Sequence, residues 1–146
     1  VLHHAAPCMP AGGAALALTF DTSRVYPFYN WMGVHKAALE AVTRALARRH
    51  GKDLIRVNAV SAGPLASKAA SKIPGFGKLD KIWSASSPLP WATTADKEEV
   101  ANAAAFLLSP LAKKITGQIL YVDGGANIIT GELQPFELPP ERRESN

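Results

Sequence analysis

Tyr29 and Lys36 are the residues of this chain whose types and spacing could do chemistry together, in the stretch Tyr29-Asn-Trp-Met-Gly-Val-His-Lys36. Seven positions make almost two helical turns, so on a helix both side chains share a face, about 10 Å apart along the axis. That is too far for a direct pair, but a cofactor ribose and a substrate carbonyl could lie across it. An ammonium there favours negative charge, and a phenol aimed at a carbonyl could stabilise a developing enolate. The plainer alternative is a tyrosine at a helix start packed on the core, with a solvated lysine. Taken alone, the pair does not choose between them.

Other side chains suggest less. His3 and His4 are adjacent, a poor ligand spacing on any regular element, so no metal site is read there. His35 and His50 are expected on a helix surface. Cys8 has no basic neighbour to activate it and is expected to be a bland or buried thiol. Lys68 and Lys72 stand four apart, either as a solvated face or as a docking point for an acidic partner.

The elements that must position Tyr29 and Lys36 follow from patterning. After the Gly12-Gly13 turn, residues 14–20 form a nearly continuous apolar run, which predicts a strand covered on both faces. Residues 30–50 are rich in Ala, Leu, Arg and Glu and predict a long helix, with Gly51 where a C′ residue belongs. Its stripe of Trp31, Val34, Ala38, Ala41, Val42 and Ala45 is expected to pack on the core, Trp31 included; its alanines would also permit close helix contact between subunits. Residues 55–61 predict a second buried strand, stopped by Ala62-Gly63-Pro64. Residues 65–91 are mixed and suggest short helices in a mobile loop. Asp96 to Glu99 form a capping-box pattern opening a helix over 100–108, which Ser109-Pro110 ends. A third strand over 118–122 closes at Asp123-Gly-Gly, read as structural punctuation, and residues 131–146 have no period and predict a disordered tail.

Strand, helix, strand, helix, strand at this spacing predicts an α/β chain with a parallel sheet. No G-x-G-x-x-G phosphate loop follows a first strand, so the pattern is the C-terminal half of a Rossmann-type β-α-β-α-β sheet without the first strands and their fingerprint. The chain has no initiator Met and no signal-peptide pattern, and is expected to begin inside a longer reading frame. No apolar run approaches the roughly 20 residues of a membrane helix. A single cysteine excludes an intramolecular disulfide and suits a reducing, cytoplasmic setting. The net charge of +4 suits a phosphate-bearing ligand or acidic partner, while no basic run interleaved with aromatics points to nucleic acid.

With these neighbours the Tyr29–Lys36 stretch resembles the short-chain dehydrogenases, and within them the enoyl-[acyl-carrier-protein] reductases. Most of that superfamily places its Tyr four positions before the Lys, where this chain has Met32; enoyl reductases keep six residues between, as here. The resemblance continues through Arg56-Val-Asn-Ala-Val-Ser-Ala-Gly-Pro-Leu65, Ala103-Ala-Ala-Phe-Leu-Leu-Ser-Pro110 and Ile115-Thr-Gly-Gln-Ile-Leu-Tyr-Val-Asp-Gly-Gly125, covering roughly residues 10–128 in order.

The resemblance implies that residues 1–130 are the C-terminal part of a single Rossmann-type reductase domain, using NADH, with NADPH as the alternative. By it, Tyr29 would hydrogen-bond the thioester carbonyl of a trans-2-enoyl chain on acyl-carrier protein, and Lys36 would hold the nicotinamide ribose. The backbone of Gly63, Pro64 and Leu65 would meet the nicotinamide. The Ser67 hydroxyl would contact the cofactor, although Ser67 reads equally as a helix N-cap. Many relatives carry a second tyrosine at the end of the preceding strand; Phe20 instead resembles a branch associated with longer acyl substrates. Phe20 and Met32 would then wall the acyl site, with plain core packing as the alternative for both. The resemblance also implies a homotetramer packed through the Lys36 helix, and about 100 further residues preceding those seen here. Competing readings are another short-chain dehydrogenase, such as a 3-ketoacyl reductase, or a non-catalytic module that binds related subunits.

Overall fold

The computed structural model describes residues 2–9, 12–26, 29–94 and 96–129; the expected disordered tail, 131–146, lies outside the described residues. In chain order the elements are a short helix α1 (Leu2–Ala5), β1 (Ala14–Thr19), α2 (Asn30–His50), β2 (Arg56–Ala62), α3 (Phe76–Ser86), α4 (Lys97–Leu108) and β3 (Ile119–Val122). The strands form a three-stranded sheet in the order β1-β2-β3, parallel throughout, with Ala14 opposite Arg56 and Ala59 opposite Ile119. The α/β pattern expected from the sequence is therefore the one observed.

Strand alternation assigns the helices to opposite faces. Ala47 of α2 packs in a cluster with Ala15 and Val57, whereas Val100 and Leu107 of α4 pack with Leu16, Val60 and Ala62. β2 is buried at every position, as its continuous apolar run predicts. β1 differs: Ala14 to Ala17 are only half-buried and Leu18 is 54% exposed. The reason is position in the sheet, since β1 has a strand neighbour on one side only among the described residues. The larger core gathers Phe20, Tyr26, Val60, Trp83, Trp91 and Leu107. Burying an aliphatic side chain such as Leu107 contributes about 1.5–3 kcal/mol.

Four local expectations are corrected. Gly51 is right-handed and opens a 3-10 turn, Gly51–Asp53; the left-handed residue that ends the run is Leu54, at φ 57°. Asp96 stands at the N-cap of α4, but its side chain makes no capping bond there, because the carboxylate accepts the Ala92 N–H instead. On α2 the predicted core stripe faces outward: Trp31 is 74% exposed, Val34 55% and Val42 50%, and Ala38, Ala41 and Ala45 are exposed with them. The face turned to the sheet carries Glu40, Thr43, Ala47 and His50. His50, expected at the surface, is buried there.

Candidate active site

Open parallel sheets bind ligands beyond the carboxyl ends of their strands, and this sheet has a pocket of about 290 Å³ there. Phe20 directly follows β1 and supplies one wall; Tyr29, Met32 and Lys36 come from the start of α2. The loop leaving β2 contributes Gly63, Pro64, Leu65 and Ser67, and α3 covers the space with Phe76 and Leu79. Every site residue singled out in the sequence thus lines one pocket. Lys68 and Lys72 do not line it; both are exposed beside it.

Tyr29 occupies the N-cap position of α2, with its ring centroid 4.7 Å from that of Phe20. Its hydroxyl makes no hydrogen bond among the described residues, and burial raises its pKa. The phenol therefore stays protonated near neutrality, with its donor free for a ligand. Lys36 is two turns further along α2, where its Nζ donates to the Leu18 carbonyl oxygen at 2.8 Å. Burial lowers its pKa from 10.5. Phe20 is only 6% exposed and shares in the core, so it is at once a packed aromatic and a pocket wall. Met32, at 45% exposure, lies at the rim. The Ser67 hydroxyl oxygen accepts the Ala70 N–H at 3.0 Å, but the N-cap of the 3-10 turn Ala70–Lys72 is Ala69, so Ser67 is not the helix N-cap that was its alternative; it also lines the pocket.

Several buried polar groups brace this end of the sheet, and two of them had no role in the reading of the sequence. Glu40, one turn beyond Lys36 on α2, accepts the Thr19 hydroxyl at 3.1 Å and the Thr22 hydroxyl at 2.9 Å. Its signal in the sequence was a carboxylate on the same helical face as Lys36. Asp21 accepts the Tyr26 hydroxyl at 2.7 Å and the Ser23 hydroxyl at 2.6 Å. Burial works against its charge, but those bonds outweigh it and hold its pKa below 3.8. Asp123 accepts the backbone N–H of Gly125 and of Asn127, so its structural reading fits; burial raises its pKa against those bonds.

The architecture is that of a Rossmann-type α/β unit, with a Tyr and a Lys from one helix converging on the pocket at the strand ends. The chain belongs to the enoyl-(acyl carrier protein) reductase family, whose model matches residues 1–127. It is 47% identical over 126 residues to the enoyl-[acyl-carrier-protein] reductase [NADH] FabI of Nostoc sp., covering 86% of this chain and 48% of that protein. It is 48% identical over 130 residues to the chloroplastic enoyl-[acyl-carrier-protein] reductase [NADH] of Arabidopsis thaliana, covering 87% of this chain and 33% of that one. Among solved structures, the Bacillus cereus enoyl-acyl carrier protein reductase, in complex with NADP+ and indole naphthyridinone, superposes with a TM-score of 0.83 at 41% identity. That match covers 88% of this chain and 50% of the other. The chain spans about half the length of the bacterial relatives it matches. No helix among the described residues is long and apolar enough to cross a membrane.

Proposed function

We propose that this chain is the catalytic part of an enoyl-[acyl-carrier-protein] reductase domain, spanning residues 1–130, that reduces trans-2-enoyl thioesters in fatty-acid synthesis. The observation that carries the reading is convergence: Tyr29 and Lys36 from the start of α2, and the Gly63–Leu65 loop well removed from them in sequence, line the same pocket. The donor set also fits a nicotinamide riboside, with an ammonium for ribose hydroxyls, a loop free of side-chain bulk at Gly63, and an unengaged phenol. Bound there, NADH supplies the hydride for the β-carbon of the enoyl chain. Tyr29 donates a hydrogen bond to the thioester oxygen and stabilises the enolate that forms. Lys36 orients the ribose, and its charge favours the anionic state. Ser67 adds a hydroxyl contact to the cofactor. Phe20 and Met32 wall the acyl chain and exclude water from it.

The nucleotide assigned is NADH, the one carried in the names of the Nostoc and Arabidopsis relatives; NADPH is the competitor. The acyl-carrier protein is the natural carrier of the substrate, and exposed Lys68 and Lys72 offer its acidic surface a landing point beside the pocket. The outward apolar stripe of α2 is assigned to packing between subunits of a homotetramer, and the compartment to the cytoplasm.

The test is NADH and NADPH oxidation by the intact protein with a crotonyl thioester, alongside a 3-ketoacyl thioester. Tyr29→Phe is expected to lower kcat about 100-fold while leaving NADH affinity near wild type. Lys36→Ala is expected to abolish NADH binding. Preference for the ketoacyl substrate, or small and equal effects from both substitutions, would overturn the assignment.

A further inference from the structure

Two indoles lie behind the loop that leaves β2, and neither lines the pocket. Trp83 is 0% exposed and Trp91 6%. A buried indole N–H needs a partner, and each finds a backbone carbonyl where a strand ends. Trp83 Nε1 donates to the Asp123 oxygen at 3.0 Å, and Trp91 Nε1 donates to the Pro64 oxygen at 2.8 Å. Gly63 lies between the rings: a Cβ there would come within 2.6 Å of Trp91 Cε2 and 3.1 Å of Trp83 Nε1. Its φ is not in the left-handed region, so glycine is required there by the rings rather than by the backbone. The loop is tied again where the Ala66 N–H donates to the Thr93 oxygen at 2.9 Å.

These contacts fix a peptide plane. The Pro64 carbonyl and the Leu65 N–H belong to one planar trans unit and point in opposite directions. Anchoring the oxygen on the Trp91 indole therefore turns the Leu65 N–H away from that ring. The Leu65 N–H makes no hydrogen bond among the described residues, and Leu65 lines the pocket. An unspent backbone donor at that place suits an amide oxygen such as the carboxamide of a nicotinamide.

We propose that Trp91 is a positioning residue for nicotinamide binding. Packed on Gly63 and bonded to Pro64, it preorganises the Leu65 N–H before the cofactor arrives. The proposal rests on the reading of this pocket as the nicotinamide site.

The experiment is calorimetric titration of the intact protein with NADH, comparing wild type, Trp91→Phe and Trp83→Phe, with Tm and steady-state kinetics on each. Trp91→Phe keeps a ring in place but deletes the N–H. It is expected to raise the NADH Kd about tenfold, with kcat at saturating NADH and the thioester KM nearly unchanged. Trp83→Phe deletes an equally buried N–H on a different carbonyl and is expected to lower Tm without moving the NADH Kd. A Trp91→Phe protein with lowered Tm and wild-type affinity would show a merely structural role and overturn the proposal. Equal losses of affinity in both variants would do the same. If Trp91→Phe does not fold, 3-benzothienylalanine at position 91 replaces the N–H by sulfur at nearly the same shape and carries the same expectation. A wild type that binds no NADH overturns the nicotinamide reading itself, and this proposal with it.

Discussion

Lys36 reaches from α2 to the Leu18 carbonyl oxygen, 2.8 Å away, which sets a cation against the end of β1. Burial disfavours the ammonium and lowers its pKa from 10.5. In the unfolded chain the ordinary value returns, so between the folded pKa and 10.5 the unfolded state binds more protons. Stability from this group therefore rises with pH across that window, and the cost of burying the cation is present in full below it. Ligand affinity runs the other way, because the neutral amine loses its charge. The NADH Kd is expected to rise on the alkaline side at a pH below 10.5. In Lys36→Arg that rise should disappear, since a guanidinium stays charged. Titration across the alkaline range checks it; parallel profiles for the two proteins would remove Lys36 from cofactor binding.

The outward stripe of α2 gives a prediction about assembly. Trp31 at 74% exposure and Val42 at 50% form, with the exposed alanines between them, an outward apolar face. Exposed apolar faces of this kind mark contacts with a partner. Val42→Arg is expected to shift the intact protein to a smaller particle by light scattering, with its circular dichroism unchanged. An unaltered mass would place the subunit contact elsewhere.

The same helix shows how far the sequence could be read. The predicted strands and the long helix lie within a residue or so of those observed, because continuous apolar runs and helix formers speak directly about local structure. The orientation of α2 was not legible. Two stripes run along it at helical spacing: Trp31, Val34, Ala38, Ala41 and Ala45 on one side; Gly33, Lys36, Glu40, Thr43, Ala47 and His50 on the other. Hydrophobicity alone turns the first stripe inward, yet the second faces the sheet. Its polar members, His50 excepted, can be buried because neighbours satisfy them: Lys36 by Leu18, Glu40 by Thr19 and Thr22, and the Thr43 hydroxyl by the Leu39 oxygen at 2.9 Å. The Thr43 bond is local to the helix, but those of Lys36 and Glu40 are tertiary and leave no periodic trace. Tyr29 and Lys36 were legible for the opposite reason: their spacing along one helix largely sets their geometry. Trp91 was not, because its bond to Pro64 spans 27 residues.

Arg56 opens β2 and ends the neighbouring helix. Its guanidinium donates to the carbonyl oxygens of Leu107 at 2.5 Å and Leu108 at 3.3 Å, acceptors left open at the C-terminus of α4, and to that of Ser109 at 3.0 Å, which also accepts the Ala112 N–H. A buried cation there also meets the negative end of the helix dipole. Arg56→Met would leave the Leu107 and Leu108 carbonyls unpaired and is expected to cost about 2–4 kcal/mol. Arg56→Lys should recover only part of that, because an ammonium lacks the planar fork. Urea unfolding midpoints are expected in the order wild type, Lys, Met. A lysine variant as stable as wild type would show that charge, not the fork, caps the helix.

Among the described residues, His50 is a buried side chain whose pairing is incomplete. It is 7% exposed at the end of α2, and its Nε2 has no hydrogen-bond partner among the described residues. Its Nδ1 faces Asp53 Oδ2 at 3.7 Å, beyond ordinary hydrogen-bond length. Asp53 itself is half exposed, so the attraction between them is largely screened. An unpaired imidazole nitrogen held away from water costs about 1–3 kcal/mol. Ala6, Met9 and Ile55 line the same groove, and an aliphatic side chain would find apolar contact with them. His50→Leu is therefore expected to raise stability at neutral pH by about 1 kcal/mol, seen as a higher urea midpoint at unchanged slope. Asp53→Asn, which removes only the screened charge, should move the midpoint very little. If His50→Leu lowers the midpoint and Asp53→Asn lowers it by as much, the His50–Asp53 pair stabilises the turn, and the reading of an orphaned nitrogen is wrong.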